Sequence, residues 1–344
     1  MSHLQRDYLH MIRARDPYSD LVINIESRDL PVHAELLERR CPKLLSLAQN
    51  SVIRVDERRL NVHVMRLFLD FLYANHVTVQ RDVRVLVQLQ YCAEKYQQAQ
   101  LITELRQQAA ELTRGNYNEY CKLLSEYGMS SHVIIRDKFE YVPREVVGDK
   151  EWLRNLEAML FDTSATNFAL HVTDESGDQL QSPVEIFHVH RFVLANRSEF
   201  FAAAIRMALQ RNITHIFVED ISIRGARALL LYLYSDNMLL LDSIEICLEV
   251  LHFATFSAMI AEPRHEKVIK HCRGLIIQAL AIDNWLDVYE AVLTVSDTVL
   301  KEQIRSWIAQ RSKLILKKSK EEGLKLRDEL LHLLSPEKPV VESQ

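Results

Sequence analysis

Glycine is scarce in this chain, with 7 residues among 344, a shortage that suits a mostly helical protein. The chain has no glycine-rich phosphate loop, no Gly-x-Ser-x-Gly nucleophile turn and no His-Glu-x-x-His metal helix. Five cysteines are scattered at Cys41, Cys92, Cys121, Cys247 and Cys272, an odd number with no Cys-x-x-Cys pair. That usage reads as reduced thiols inside a cell and not as a disulfide framework. There is no uncharged apolar run of about 18 residues, and no signal or transit peptide pattern. A soluble cytoplasmic protein is expected, with the nucleus also open and no membrane partner. The formal net charge of −5 gives no electrostatic basis for binding nucleic acid.

What the chain does have is a pattern that occurs twice. Residues 31–47 read PVHAELLERRCPKLLSL, followed by FLDFLYAN at 68–75 and LVQLQYCAEKY at 86–96. The second copy reads IFHVHRFVLANRSEFFAAAI at 186–205, then LLLYLYSDN at 229–237 and LEVLHFATF at 248–256. Tyr73 matches Tyr234 and Ala93 matches Ala254 at the same offset, while the interval from His33 to Tyr73 is shorter than that from His190 to Tyr234. The period is too long for a solenoid and marks a duplicated domain.

Each copy is preceded by an amphipathic helix. Leu4, Tyr8, Leu9, Met11 and Ile12 share one face over 2–14, and Trp152, Leu156, Met159 and Leu160 share one over 151–161. Each helix leads to an alternating, half-buried strand, DLVINIE at 20–26 and NFALHVT at 167–173. Turn signals at Gly115-Asn116, Gly128 and Pro143 punctuate the segment between the copies, and Val133-Ile134-Ile135 predicts a short strand. Residues 174–183 read as a polar hairpin-like loop. After Ala261 the pattern is helical. His265–Ile282 has apolar residues at Val268, Ile269, Cys272, Leu275, Ile276 and Ala279, and Asp283 or Asn284 caps the next helix. Ser296-Asp297 separates a third helix. The mixed-charge run KKSKEEGLKLRD (317–328) reads as a solvated helix face.

Little in this pattern suggests chemistry. His188 and His190 would share one face of a strand, but no Cys or acid at ligand spacing completes a metal site. Cys92 and Cys247 read as small apolar residues on buried helix faces. No carboxylate pair is identifiable as acid and base. No catalytic residue, cofactor site or metal site is assigned, and an enzyme is not expected.

Each copy resembles a BTB/POZ domain, whose motif runs His-(Lys/Arg)-x-x-Leu-(Ala)-x-x-Ser-x-x-Phe. The second copy carries His190, Arg191, Leu194, Ala195, Ser198 and Phe201 in that order, with Tyr234-Ser235-Asp236 following. The first keeps Ser19-Asp20-Leu21, His33 and Leu37, but has Cys41-Pro42 for the Ser and Leu44 for the Phe. Two such domains with helices after them are similar to the ankyrin-repeat and BTB/POZ domain-containing proteins, above all in YLYSDN and in the helices from Asn284 to Ala309. No ankyrin repeats are expected here. The resemblance implies an α+β, mostly helical fold, with two BTB/POZ domains, each a short sheet packed against a helical cluster, and a BACK-like helical extension. The expected boundaries are 2–105 for the first domain, 106–150 for a linker, 151–263 for the second domain, 264–334 for the extension and 335–344 for a disordered tail.

BTB domains dimerise, and many recruit a cullin scaffold, so the resemblance implies a non-enzymatic adaptor that brings an unidentified substrate protein to a cullin-RING ubiquitin ligase. In that class an apolar-x-Glu motif follows the Ser-x-x-Phe helix. It falls here on Leu209-Gln210-Arg211, where Arg replaces the acid; Leu47-Ala48-Gln49 stands there in the first copy. Leu209, Gln210 and Arg211, with Tyr234, Ser235 and Asp236, are the candidate partner-binding residues. Many family members also hold an Asp on the first strand near a base after the His, close to the dimer seam. The first copy has Asp20 but Ala34, and the second Arg191 but Asn167. Each copy thus keeps half of the pair, which leaves open independent drift of the copies, pairing of the two copies within one chain, or a homo-oligomer, with Asp20, His33, Asn167, His190 and Arg191 as seam candidates. A tandem-BTB assembly scaffold with no ligase contact is the second functional reading. A BTB transcription repressor lacks the zinc-finger spacing it would need.

Overall fold

A computed structural model describes residues 2–13, 16–79, 82–129, 148–163, 166–173 and 184–321. The expected short strand at Val133–Ile135, the turn at Pro143, the loop at 174–183, most of the mixed-charge run and the tail at 335–344 lie outside the described residues. The chain divides into two compact units, Met1–Phe168 with His188–Arg206, and Ala169–Phe187 with Met207–Gln344.

In the first unit, the alternation in DLVINIE becomes β1 (Leu21–Ile25), which buries Leu21, Ile23 and Ile25. β2 (Arg28–Val32) returns antiparallel through Glu26 and Ser27, at φ 50° and 59°. A two-residue turn that is left-handed at both positions suits the strand twist and favours Asn-Gly; this chain uses Glu-Ser. The glycine shortage has the same consequence elsewhere. Among the described residues ten non-glycine positions have positive φ, against one glycine, Gly128, at a strain of roughly 1 kcal/mol each.

β1 also pairs parallel with β4 (Val52–Val55), which pairs antiparallel with β3 (Ala48–Gln49), giving the order β2-β1-β4-β3. α2 (Ala34–Arg40), α3 (Pro42–Leu45), α4 (Val62–Ala74) and α5 (Val83–Lys95) follow the same chain. α4 is the core helix: Met65, Phe68, Leu72 and Tyr73 are fully buried, Asn61 caps its start, and Asn75 closes it in the left-handed conformation. α6 (Ala99–Ala110) and α7 (Arg114–Glu126) run through the expected linker. Tyr120 is fully buried there and donates to Gln90 Oε1 at 2.6 Å, so this stretch packs and is no free tether. α1 (His3–Arg13), α8 (Gly148–Phe161), α9 (Arg191–Arg197) and the start of α10 (Glu199–Gln210) complete the unit.

The second unit has β5 (Phe168–Thr173), β6 (Val184–Val189) and β7 (His215–Val218) in the order β6-β5-β7, with β5 and β7 parallel. α3 and α10 stand at equivalent places, but α3 starts on Pro42 and has 4 residues whereas α10 has 12. The longer interval in the second copy lies here. α11 (Ile223–Ser235) repeats α4, with Ser222 as its cap and Asp236 closing it at φ 57°. Gly225 is needed in its first turn. A Cβ there would strike the Glu249 carboxylate, which accepts the Ser222 hydroxyl at 2.6 Å, and would come within 2.9 Å of Ile221 Cγ1. α12 (Ile244–Phe256) carries LEVLHFATF, and α13 (Glu266–Ala279), α14 (Trp285–Thr294) and α15 (Thr298–Glu321) match the helical pattern read after Ala261. Among the described residues no helix is long and apolar enough to cross a membrane.

The junction of the last helices hangs on Asp297, which is 1% exposed. Its carboxylate accepts two bonds from Arg273 (2.7 and 3.0 Å) and the Leu300 N–H at 3.1 Å, capping α15. Asp297→Ala strips a half-buried guanidinium and a helix start of their acceptor together, and is expected to cost about 2 kcal/mol, read as a lower urea midpoint.

Candidate interaction surfaces

Charged side chains belong in water, yet Arg197 on α9 has no exposed surface. Its Nη1 donates to Asp7 Oδ2 of α1 at 2.5 Å. Next to it, Asn196 donates to Asp16 Oδ2, just past α1, at 2.7 Å. The pattern also runs the other way. Arg39, which stands on α2 where α9 has Asn196, donates to Asp162 just past α8. Arg40, at the place of Arg197, feels the negative charge of Glu151 on α8, while burial pushes its guanidinium down to about 10. Arg40 also donates to Asn75 Oδ1 at 3.0 Å and to the Leu72 carbonyl at 3.2 Å, fastening the end of α4. Tyr8 of α1 meets Trp152 of α8 edge-to-face at 5.9 Å, and the Trp152 indole donates to the Tyr73 carbonyl at 3.1 Å. The helix that precedes each copy is thus held by the helix that follows the motif histidine of the other. Such reciprocity is the mark of an isologous contact.

The two motif histidines lie inside this contact, each 1% exposed. Tyr73 Oη accepts the His33 N–H at 2.9 Å and lies 3.0 Å from His33 Nδ1. On the other side of the ring, His33 Nε2 lies 3.5 Å from Asp16 Oδ2. The His33 ring stacks on Phe192 of α9 at 4.1 Å. His190 Nε2 lies 3.9 Å from Glu35 Oε1. Burial, then the positive charge of Arg39, pushes His190 down to about 4, and burial pushes the Glu35 carboxyl up.

Of the expected seam residues, His33 and His190 come together. Asp20 and Asn167 are engaged elsewhere. Each caps the helix that follows the second strand of its copy, accepting the Ala34 N–H at 2.8 Å and the Arg191 N–H at 3.2 Å. Among the described residues no ion pair joins Asp20 to Arg191, so the opposite charges expected to face one another across the seam do not pair. Asp7, Asp16, Arg39, Asp162 and Arg197 carry the charge there instead. The signal for them is the alignment of Arg39-Arg40 with Asn196-Arg197, two polar pairs at one place in the repeat.

In the second unit, Leu209, Gln210 and Arg211 end α10. Bonds from Arg211 N–H to the Ala208 carbonyl and from Asn212 N–H to the Leu209 carbonyl, both 3.0 Å, set the turn. Leu209 is half-buried, and Gln210 and Arg211 are exposed. Tyr234 and Ser235 are buried, and Ser235 donates to the Leu231 carbonyl at 3.0 Å. As core residues of α11 they have no surface for the partner contact expected of them. Asp236, half-buried, is the left-handed residue that closes that helix.

The BTB/POZ domain family matches residues 9–113 and 178–263, together more than half of the chain. The chain belongs to the BTB/POZ family. No curated protein matches it. BTB/POZ domains mediate protein–protein interaction and dimerisation, and the α+β, mostly helical architecture is that of the family. The motif histidine sits in both copies at the start of the helix after the hairpin.

Two outcomes are expected. Arg197→Met and Asp7→Asn each leave a buried group short of its partner, at about 2–4 kcal/mol, and the double variant should cost less than the sum by about 1–3 kcal/mol in a double-mutant cycle. His190 titrates near 4 when folded and near about 6.5 when unfolded. Between those values the unfolded chain binds more protons. The stability is therefore complete above about pH 6.5 and is lost as pH falls towards 4, by about 2 kcal/mol at pH 5. Glu35, shifted up, acts in the opposite sense. His190→Gln should flatten the slope of unfolding free energy between pH 7 and pH 5.

Proposed function

We propose that the chain is a non-enzymatic interaction adaptor whose two BTB copies pair with each other, and that it links a substrate protein to a cullin-RING ubiquitin ligase. The observation that carries the pairing is the reciprocal exchange centred on Arg197–Asp7 and Arg39–Asp162. Tethering favours it, since a short linker holds one domain near the other at an effective concentration of about millimolar. The ligase contact rests on the family likeness and on the turn that ends α10. That turn presents Gln210 and Arg211 to solvent beside a half-buried Leu209, the apolar residue that would fill a pocket on the scaffold. Helices α13 to α15, read as BACK-like, and the likeness of YLYSDN to the ankyrin-repeat BTB proteins belong to the same reading.

A scaffold without ligase contact is the second reading, favoured by Arg211. A base where the adaptor class has an acid reverses the sign of a charge-assisted contact. In the first copy α3 stops after 4 residues and Leu47-Ala48-Gln49 runs into β3, which leaves no helix end to present it.

Light scattering on the purified chain is expected to give a monomer, because the pairing face is already occupied. Calorimetric titration with the N-terminal domain of the BTB-partner cullin is expected to give sub-micromolar binding that Leu209→Ala weakens about tenfold and Arg211→Glu strengthens. No heat with about 50 μM cullin domain would move the conclusion to the scaffold, and a dimer by scattering would overturn the internal pairing.

A further inference from the structure

A cleft of about 490 Å³ opens in the first unit between the end of α1, the edge strand β2 and α4. Its size is that of a ligand site, which runs to roughly 300–1,000 Å³. One of the two guanidinium groups on its walls has no partner among the described residues. Asp70, on α4, accepts a hydrogen bond from Arg13 Nη2 at 2.8 Å. Burial nonetheless pushes its carboxyl up, against the pull of Arg13, Arg66 and His63, all of which lie close enough to act on it. Asp29, the other acid of the cleft, accepts the Asn24 amide at 2.6 Å. Both acids are therefore satisfied. Arg66 and His63 are not. They stand one helical turn apart on α4, both exposed, and among the described residues neither takes part in a hydrogen bond or an ion pair.

The floor between these two side chains is apolar, formed by buried Leu30 and Leu69 and half-buried Pro31 and Leu67. A ligand that answers both features needs an anionic group next to an apolar one. The two lining acids would repel a polyphosphate, which speaks for a single carboxylate and against nucleic acid. Arginine suits a carboxylate well, because its planar fork can donate two parallel bonds. Pro31 lacks an N–H on the edge strand, so recognition here falls to side chains rather than to an added strand.

We propose that this cleft binds a short acidic segment of a partner protein, its Asp or Glu held by Arg66 and His63 and an adjoining Leu, Ile or Phe seated on Leu30, Pro31 and Leu67. The seam uses Asp7 and Tyr8, further back on α1, so the cleft stays open when the copies pair. The proposal goes beyond the ligase reading and concerns different residues. Its test uses no cullin, so either can fail alone.

The full chain and its Arg66→Glu variant should be panned side by side against a phage-displayed library of random peptides. Wild type is expected to enrich peptides in which Asp or Glu adjoins Leu, Ile or Phe, and the variant to lose that enrichment. A synthetic peptide from the enriched set should bind wild type, weaken with rising salt, and lose about tenfold or more in affinity on Arg66→Glu. His63→Ala should weaken it in the same direction. Both residues are exposed, so the melting temperature of each variant should match wild type, which separates lost binding from lost folding. Enrichment of peptides without an acid, no enrichment at all, or equal affinity for wild type and both variants would overturn the proposal.

Discussion

Arg197 is taken wholly out of water, and its charge is tolerable there because Asp7 reaches it from the far end of the sequence. That one pairing dictates much of the first unit. It fixes α1 against α9 and so brings Asp16 within reach of Asn196 and His33. His33 then stacks on Phe192, and Tyr73, held by His33, offers its carbonyl to Trp152. Three of these contacts, Arg197 to Asp7, Asn196 to Asp16 and Trp152 to the Tyr73 carbonyl, use a residue of one copy to satisfy a polar group of the other. An apolar seam of similar area would slide; a seam of buried polar groups favours the one register in which most of them are met.

Much of this was legible in the sequence, for reasons that differ from element to element. The 3.6-residue spacing of Leu4, Tyr8 and Met11, and of Trp152, Leu156 and Met159, located α1 and α8 because burial of one face is what makes such helices form. The alternation in DLVINIE and NFALHVT located β1 and β5. The internal repeat by itself brought His33 and His190 into correspondence. The Asp20–Arg191 pair failed because a carboxylate beside a bare helix N-terminus finds a backbone donor closer than any distant side chain. Tyr234 and Ser235 were assigned to a surface by a motif, although LLLYLYS is apolar on every side, the sign of a buried helix. The partners of Arg197 and Arg39 were not legible, since charge on a helix surface looks the same whether it faces solvent or another helix.

The family assignment gives these contacts their meaning. A BTB domain is a module for meeting other proteins, and here much of one copy's meeting surface is taken up by the other. What remains outward differs between the copies. The first has the cleft with its unmatched Arg66 and His63; the second has a full-length α10 ending in an exposed polar turn. Duplication followed by this division lets one polypeptide present two unlike faces, which a symmetric homodimer cannot do.

The exchange of α1 also sets an order of events at the ribosome. α1 leaves the exit tunnel well before α8 and α9, and the helix that shields part of it is made only after the first copy has been completed and α8 has emerged. Until then Asp7 has no Arg197, and Tyr8 has no Trp152 to cover it. The nascent first copy must wait with an apolar stripe exposed, in the condition that invites aggregation or a chaperone. Contacts spanning so much chain make the completion of this unit a slow step. The buried arginine that secures the finished protein is thus also among the last pieces of the first unit to arrive.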